Sequence, residues 1–197
     1  ISDCLVGSEM CIRDSTSTLQ QTSSSKLGFG ASRTMQIAQR LYQGIDIDGE
    51  TVGLITYMRT DGTNISKDAV TTFRNFITQN YGETYLPPSP LNYSGKKAKN
   101  AQEAHEAIRP TEITRVPEEM KKYLSTDQYK LYNLIWSRSL SSQMESAKFD
   151  RKTITITSED NKNICKASGS TLKFDGFLKV SRLEENSDDE NILPKVD

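Results

Sequence analysis

The chain has 197 residues, of which 35% are hydrophobic and 26% charged, and carries a net charge of -1. No apolar run approaches the roughly 18 residues of a membrane span, and the charge balance excludes a uniformly basic body, so any nucleic-acid contact has to come from local clusters such as Lys96, Lys97 and Lys99. Cys4, Cys11 and Cys165 lack paired spacing, which supports neither a zinc site nor a disulfide framework and fits a reducing cytoplasm.

Residues 1–15 (ISDCLVGSEMCIRDS) show no helical or strand period and lack the basic flank and apolar core of a secretory signal. The run CLVGSEMCIRD resembles the translation of a sequencing adapter, the other reading being a disordered leader; both put residues 1–15 outside the fold. Neither chain end reads as natural, so a fragment of a longer protein is expected. Residues 16–25 (TSTLQQTSSS) read as a polar lead-in with one helical turn. A helix is predicted over 32–43, with Met35, Ala38, Leu41 and Tyr42 on one face and Gly44 as its stop.

After the turn at Asp48-Gly49, residues 51–58 (TVGLITYM) form a β-branched and aromatic run, predicted to be a strand ending before Asp61-Gly62. Ser66 is a good N-cap, with Asp68 in the first turn of a helix that buries Ala69, Val70, Phe73, Phe76 and Ile77 and runs to about residue 81. Residues 82–100 read as a long Pro-rich loop ending in the basic cluster, and 101–108 as a short helix stopped by Pro110. Pro117 suits a helix N1 position. Ser125 and Gln128 form a capping box for a long helix to about residue 144, with Leu131, Leu134, Ile135 and Trp136 as its core. Residues 153–157, 164–167 and 171–174 read as three strands, the last two joined by a turn at Ser168-Gly169. The fold class is therefore α+β: a leader at 1–15, a mostly helical unit at 16–147, the start of a β-rich domain at 148–182 and an acidic tail at 183–197.

The segment 53–63 (GLITYMRTDGT) carries the most chemistry. Side chains at i and i+2 of a strand share a face, so Tyr57 and Arg59 can project together where the strand gives way to loop. A phenol that attacks a phosphodiester must lose a proton of reference pKa about 10, and it needs cationic donors where charge accumulates on the phosphate oxygens. The planar fork of an arginine suits the second task. The plainer alternative is a half-buried packing tyrosine beside a solvated arginine.

Beyond these residues the chain resembles the type IA DNA topoisomerases, in particular their bacterial topoisomerase I branch. Residues 53–63 are similar to the family's active-site motif, and Ala104-His-Glu-Ala-Ile-Arg-Pro-Thr111 to its second one. Residues 16–21, 26–28 and 131–144, with Gly176-Phe177, follow the same pattern, so the resemblance covers about 16–180. Met58 favours the topoisomerase I branch over the topoisomerase III branch, where proline is usual, and Gly62 stands where serine is common; a topoisomerase III or reverse gyrase fragment is a further reading that upstream sequence would separate.

The resemblance implies that Tyr57 is the nucleophile on single-stranded or underwound DNA, forming a 5′-phosphotyrosine and releasing a 3′-hydroxyl without ATP. It implies that Arg59 stabilises the scissile phosphate and that His105 assists binding and cleavage. Thr60, Arg109, Lys96, Lys97 and Lys99 are the expected DNA contacts; for Arg109, pairing with Glu106 or Glu112 is the alternative. The nucleophile-bearing unit would be helical and the β-rich segment the start of the family's strand-passage arch. The family also needs a Toprim domain whose acidic side chains bind Mg2+. No such motif occurs in this sequence, so no metal ligand is assigned here and the fragment alone is expected to be inactive. A monomer without membrane association is expected. A rival from another class is a degenerate module that holds single-stranded DNA without cutting it.

Overall fold

A computed structural model describes residues 14–91, 106–158 and 163–181. The fold class is α+β, as the sequence suggests: helices around one apolar core, plus two small antiparallel sheets. The polar lead-in is a full helix, α1 (Thr16–Leu27). Its cap is Ser15, whose hydroxyl accepts from the Thr18 amide while the Thr18 hydroxyl accepts from the Ser15 amide. Gly28 closes it in the left-handed region at φ 67°. Few apolar residues mark this helix because its buried face consists of Leu19 and the small polar Ser23. Asp14 and Ser15, expected in the leader, are likewise buried within the fold.

Helix α2 (Ala31–Gln43) buries Thr34, Ile37, Ala38 and Leu41. Its inward face is thus rotated from the expected one, and Tyr42, placed there by the sequence pattern, is exposed. Strands β1 (Ile45–Ile47) and β2 (Glu50–Val52) form a hairpin around Asp48-Gly49, both at positive φ. The predicted strand over 51–58 stops at Val52. The cause lies at Gly53: a Cβ there would stand 2.7 Å from the Tyr42 carbonyl oxygen. The Leu54 amide donates to the Leu41 carbonyl (2.8 Å), so the chain docks on the end of α2 rather than continuing a ladder.

Helix α3 (Lys67–Tyr81) forms as expected, capped by Ser66 and buried through Ala69, Val70, Phe73, Phe76 and Ile77. The part of the predicted 101–108 helix that lies in the described residues, 106–108, is extended, with Ile108 in a β-bridge to Asp14. Pro117 opens the short helix α4 (Pro117–Met120). The Ser125–Gln128 capping box opens α5 (Thr126–Ser141), which buries Leu131, Leu134, Ile135 and Trp136. The Trp136 ring meets Phe76 edge-on at 5.8 Å, and its Nε1–H donates to the Ile113 carbonyl at 2.9 Å. These contacts gather α1, α2, α3 and α5 and the 108–113 segment around one cluster, in which each fully buried large side chain contributes about 1.5–3 kcal/mol.

The end of the chain differs from expectation. In place of three short strands there are two long ones, β3 (Lys148–Thr157) and β4 (Ile164–Phe174), paired along their length apart from a register shift between Lys148 and Phe149. Ser168 and Gly169 do not turn; they pair with Thr153 and Lys152 within the ladder. The ribbon is rooted by Phe149 and Leu172 against the core and by Phe174 on Tyr85 (4.9 Å). The short helix α6 (Leu178–Ser181) follows.

Candidate active site

Exposure alternates along 57–60: Tyr57 and Arg59 face outward, Met58 and Thr60 inward. The two-residue period expected of a strand therefore survives without a regular strand, because Met58 is wholly buried in the core and Thr60 is held from inside. Tyr57 is 38% exposed and meets the ring of Tyr42, 41% exposed, edge-on at 5.5 Å. Arg59 is exposed. Neither residue lines the surface clefts at Ile47/Tyr123 or at Val70/Leu86.

The two motifs lie side by side. The Thr56 amide donates to the Arg109 carbonyl (2.9 Å) and the Thr111 amide to the Leu54 carbonyl (3.0 Å), with Ile55 and Pro110 bridged between them. The Thr56 hydroxyl donates to the Ala107 carbonyl (2.9 Å) and accepts from the Arg109 amide (3.0 Å). The Thr111 hydroxyl donates to the Gly53 carbonyl (2.7 Å). Contacts spanning 51 to 58 residues thus fix the position of the tyrosine segment. Such closure is inexpensive, since loop entropy rises only logarithmically with length. From the other side, Thr16 grips the backbone at Met58 and Thr60.

Two expected DNA contacts sit differently from the simplest expectation. Thr60 is buried: its hydroxyl accepts from the Gly62 amide (2.9 Å), which shapes the loop instead of facing solvent. Arg109 takes the alternative the sequence left open, pairing through Nε with Glu106 Oε2 (2.7 Å) and donating through Nη1 to the Pro110 carbonyl (3.0 Å). His105, Lys96, Lys97 and Lys99 lie outside the described residues. The residues that sequence reasoning did not single out are Tyr42, Thr16, Thr56 and Thr111. The threonines act through backbone partners far away in sequence, which no local pattern reveals.

Behind the site, Asp14 accepts from Arg138 Nε with both carboxylate oxygens at 2.9 Å. Burial pushes the Asp14 carboxyl above its usual range, against the opposing pull of Arg138. No three carboxylate, histidine or cysteine side chains converge among the described residues.

The profile of the family described as "DNA topoisomerase" matches residues 14–197. The chain belongs to that family. It is 55% identical over 184 residues to DNA topoisomerase 1 of Rickettsia felis, covering 92% of this chain and 24% of that protein. The Helicobacter pylori (strain 26695) DNA topoisomerase 1 is 48% identical over 181 residues, with the same shares covered. Among solved structures, full-length topoisomerase I from Thermotoga maritima superimposes with a TM-score of 0.75 at 42% identity, covering 89% of this chain and 27% of that one. This topoisomerase segment thus spans about a quarter of the length of the curated relatives it matches.

Proposed function

We propose that this segment carries the nucleophile of a type IA topoisomerase I that relaxes negatively supercoiled DNA by cutting, passing and resealing one strand. The observation that carries the reading is the lacing of residues 53–56 to 107–111, which leaves Tyr57 and Arg59 both exposed while Met58 between them is buried. In the cleavage step the Tyr57 Oη, on losing its proton, attacks the scissile phosphorus. The bond from phosphorus to the 3′ oxygen breaks, that oxygen takes up a proton as the 3′-hydroxyl, and the 5′ phosphate stays on Tyr57. One ester replaces another, so resealing runs the same step backwards without ATP. Arg59 offers its planar donors to the phosphate oxygens as charge builds there. His105 assists from the second motif, and Lys96, Lys97 and Lys99 track the backbone of the single strand. Arg109 can join them through the donors left over on its Nη atoms, since Nε is engaged with Glu106 and one Nη1 hydrogen with the Pro110 carbonyl.

The described residues of this chain do not fit a magnesium site, so Mg2+ is assigned to the acidic residues of the Toprim domain in the complete protein. Residues 14–147 are read as the nucleophile-bearing unit and 148–182 as the start of the arch. The complete enzyme is read as a cytoplasmic monomer.

The test is a complete enzyme in which this segment replaces its counterpart in the Rickettsia felis protein. Tyr57→Phe keeps the ring but has no nucleophilic oxygen; it is expected to bind single-stranded oligonucleotide normally and form no covalent adduct. The isolated 197-residue chain is expected to leave supercoiled DNA unrelaxed, with or without magnesium. An adduct in Tyr57→Phe defeats the assignment of Tyr57, and oligonucleotide binding without cleavage by the intact chimera would favour a holding module.

A further inference from the structure

The outward pair Tyr57 and Arg59 is carried on backbone that no regular sheet holds, and the part flanking Arg59 is gripped by one residue of α1. The Thr16 amide donates to the Thr60 carbonyl at 2.8 Å. The Thr16 hydroxyl accepts from the Thr60 amide at 2.8 Å and donates toward the Met58 carbonyl at 2.8 Å, with the Thr60 carbonyl at 3.0 Å. Met58 and Thr60 bracket Arg59, and Met58 follows Tyr57. The side chains of Met58 and Thr60 are buried, so the clasp and the core together fix the inward residues. The directions of the two outward side chains follow from that.

Helix α1 does not need this hydroxyl for itself. Its cap is made by Ser15 and Thr18, and its inward face by Leu19 and Ser23. The Thr16 hydroxyl is used on the segment 42 to 44 residues further along the chain. Being both donor and acceptor, it can satisfy an amide and a carbonyl at once; a valine of the same shape would leave both unpartnered in a half-buried place.

We propose that Thr16 is a positioning residue for the Tyr57–Arg59 pair, acting through the Met58 and Thr60 backbone. This rests on the reading of Tyr57 as nucleophile. A residue that only sets the geometry of attack changes the barrier for cleavage and resealing alike, because both pass through the same transition state. The rate of approach to the cleavage equilibrium should therefore change while its position does not.

The experiment uses the complete chimeric enzyme and a labelled single-stranded oligonucleotide, following covalent adduct against time. Thr16→Val is expected to slow the approach roughly tenfold to a hundredfold, the scale of a misplaced reacting group. Oligonucleotide affinity and the adduct plateau should stay within about twofold. Thr16→Ser, which restores the hydroxyl, should recover the parent rate within about threefold. Cleavage by Thr16→Val at the parent rate overturns the proposal, as does Thr16→Ser being as slow as Thr16→Val. So does a collapse of the plateau or of the melting temperature in Thr16→Val, since the hydroxyl would then be holding up the fold at large. Tyr57→Phe, run alongside, separates the two readings: an adduct there removes the nucleophile assignment itself, whereas its absence with normal Thr16→Val kinetics removes only the role of Thr16.

Discussion

The tyrosine segment at 53–62 and the ribbon β3–β4 are opposites in how they are held. The ribbon is locally regular: two strands in unbroken register from Phe149 to Thr157, with side chains of the β-branched type that strands favour. Yet beyond its root most of it faces solvent, to the point that Ile156 and Ile164 are 62% and 61% exposed. The tyrosine segment has scarcely any regular structure, but the carbonyls of Gly53, Leu54, Met58 and Thr60 and the amides of Leu54, Thr56 and Thr60 are each held by a distant residue: Leu41, Thr16, Arg109 or Thr111. Regular hydrogen bonding and rigid placement are therefore different properties. A chemical group that must point in one direction is better served by irregular backbone locked into a core than by a ribbon paired only with itself, which is marginal alone.

Substitutions on the two sides of this comparison should separate cleanly. The largest loss is expected beneath the tyrosine segment: Trp136→Ala removes the ring packed on Phe76 and the donor to the Ile113 carbonyl, and should lower unfolding free energy by about 3–5 kcal/mol in chemical denaturation. Arg59→Lys should leave the melting temperature of the chain unchanged. In the complete chimera it should reduce cleavage on the order of tenfold to a hundredfold, since an ammonium cannot reproduce the two-pronged contact. A relaxation rate close to that of the parent would take Arg59 off the phosphate. Gly53→Ala should cost about 1–3 kcal/mol, because the added methyl meets the Tyr42 carbonyl and must push the segment off the end of α2. Its amide-exchange rates at Leu54 should rise with it. On the ribbon, Ile156→Thr and Ile164→Thr should each shift stability by less than about 0.5 kcal/mol. A loss of several kcal/mol from either would mean that the ribbon tip is packed and the contrast drawn here is wrong.

What could be read from the sequence follows the same division. Helix α3 is fully legible because five apolar residues recur at helical spacing behind a serine cap, and α5 because Ser125 and Gln128 announce its start. Helix α1 is not: its buried face includes a serine, and its cap pairs serine with threonine instead of with Glu or Gln. The exposed pair Tyr57 and Arg59 was legible from a two-residue period, although the strand meant to produce that period ends at Val52. The contacts that place them were not legible, since a threonine hydroxyl reaching a carbonyl 42 or 51 residues away leaves no mark on its neighbours. The extent of the ribbon is hidden at Gly169, which looks like a turn residue but sits opposite Lys152 in the ladder.

Both ends of the ribbon meet the helical unit at nearly one place. Gly176, at φ 49°, packs so tightly on the Glu145 and Ser146 backbone that a Cβ would come within 2.5 Å, and the Phe177 amide donates to the Glu145 carbonyl at 2.9 Å. Strand β3 departs only a few residues further on, at Lys148. Ten strand residues extend roughly 33 Å, so the ribbon reaches far beyond the junction from which both its strands leave. Phe177, buried in the core, anchors that junction. Both strands of the ribbon thus enter the helical unit through one buried junction made by Glu145, Ser146, Gly176 and Phe177.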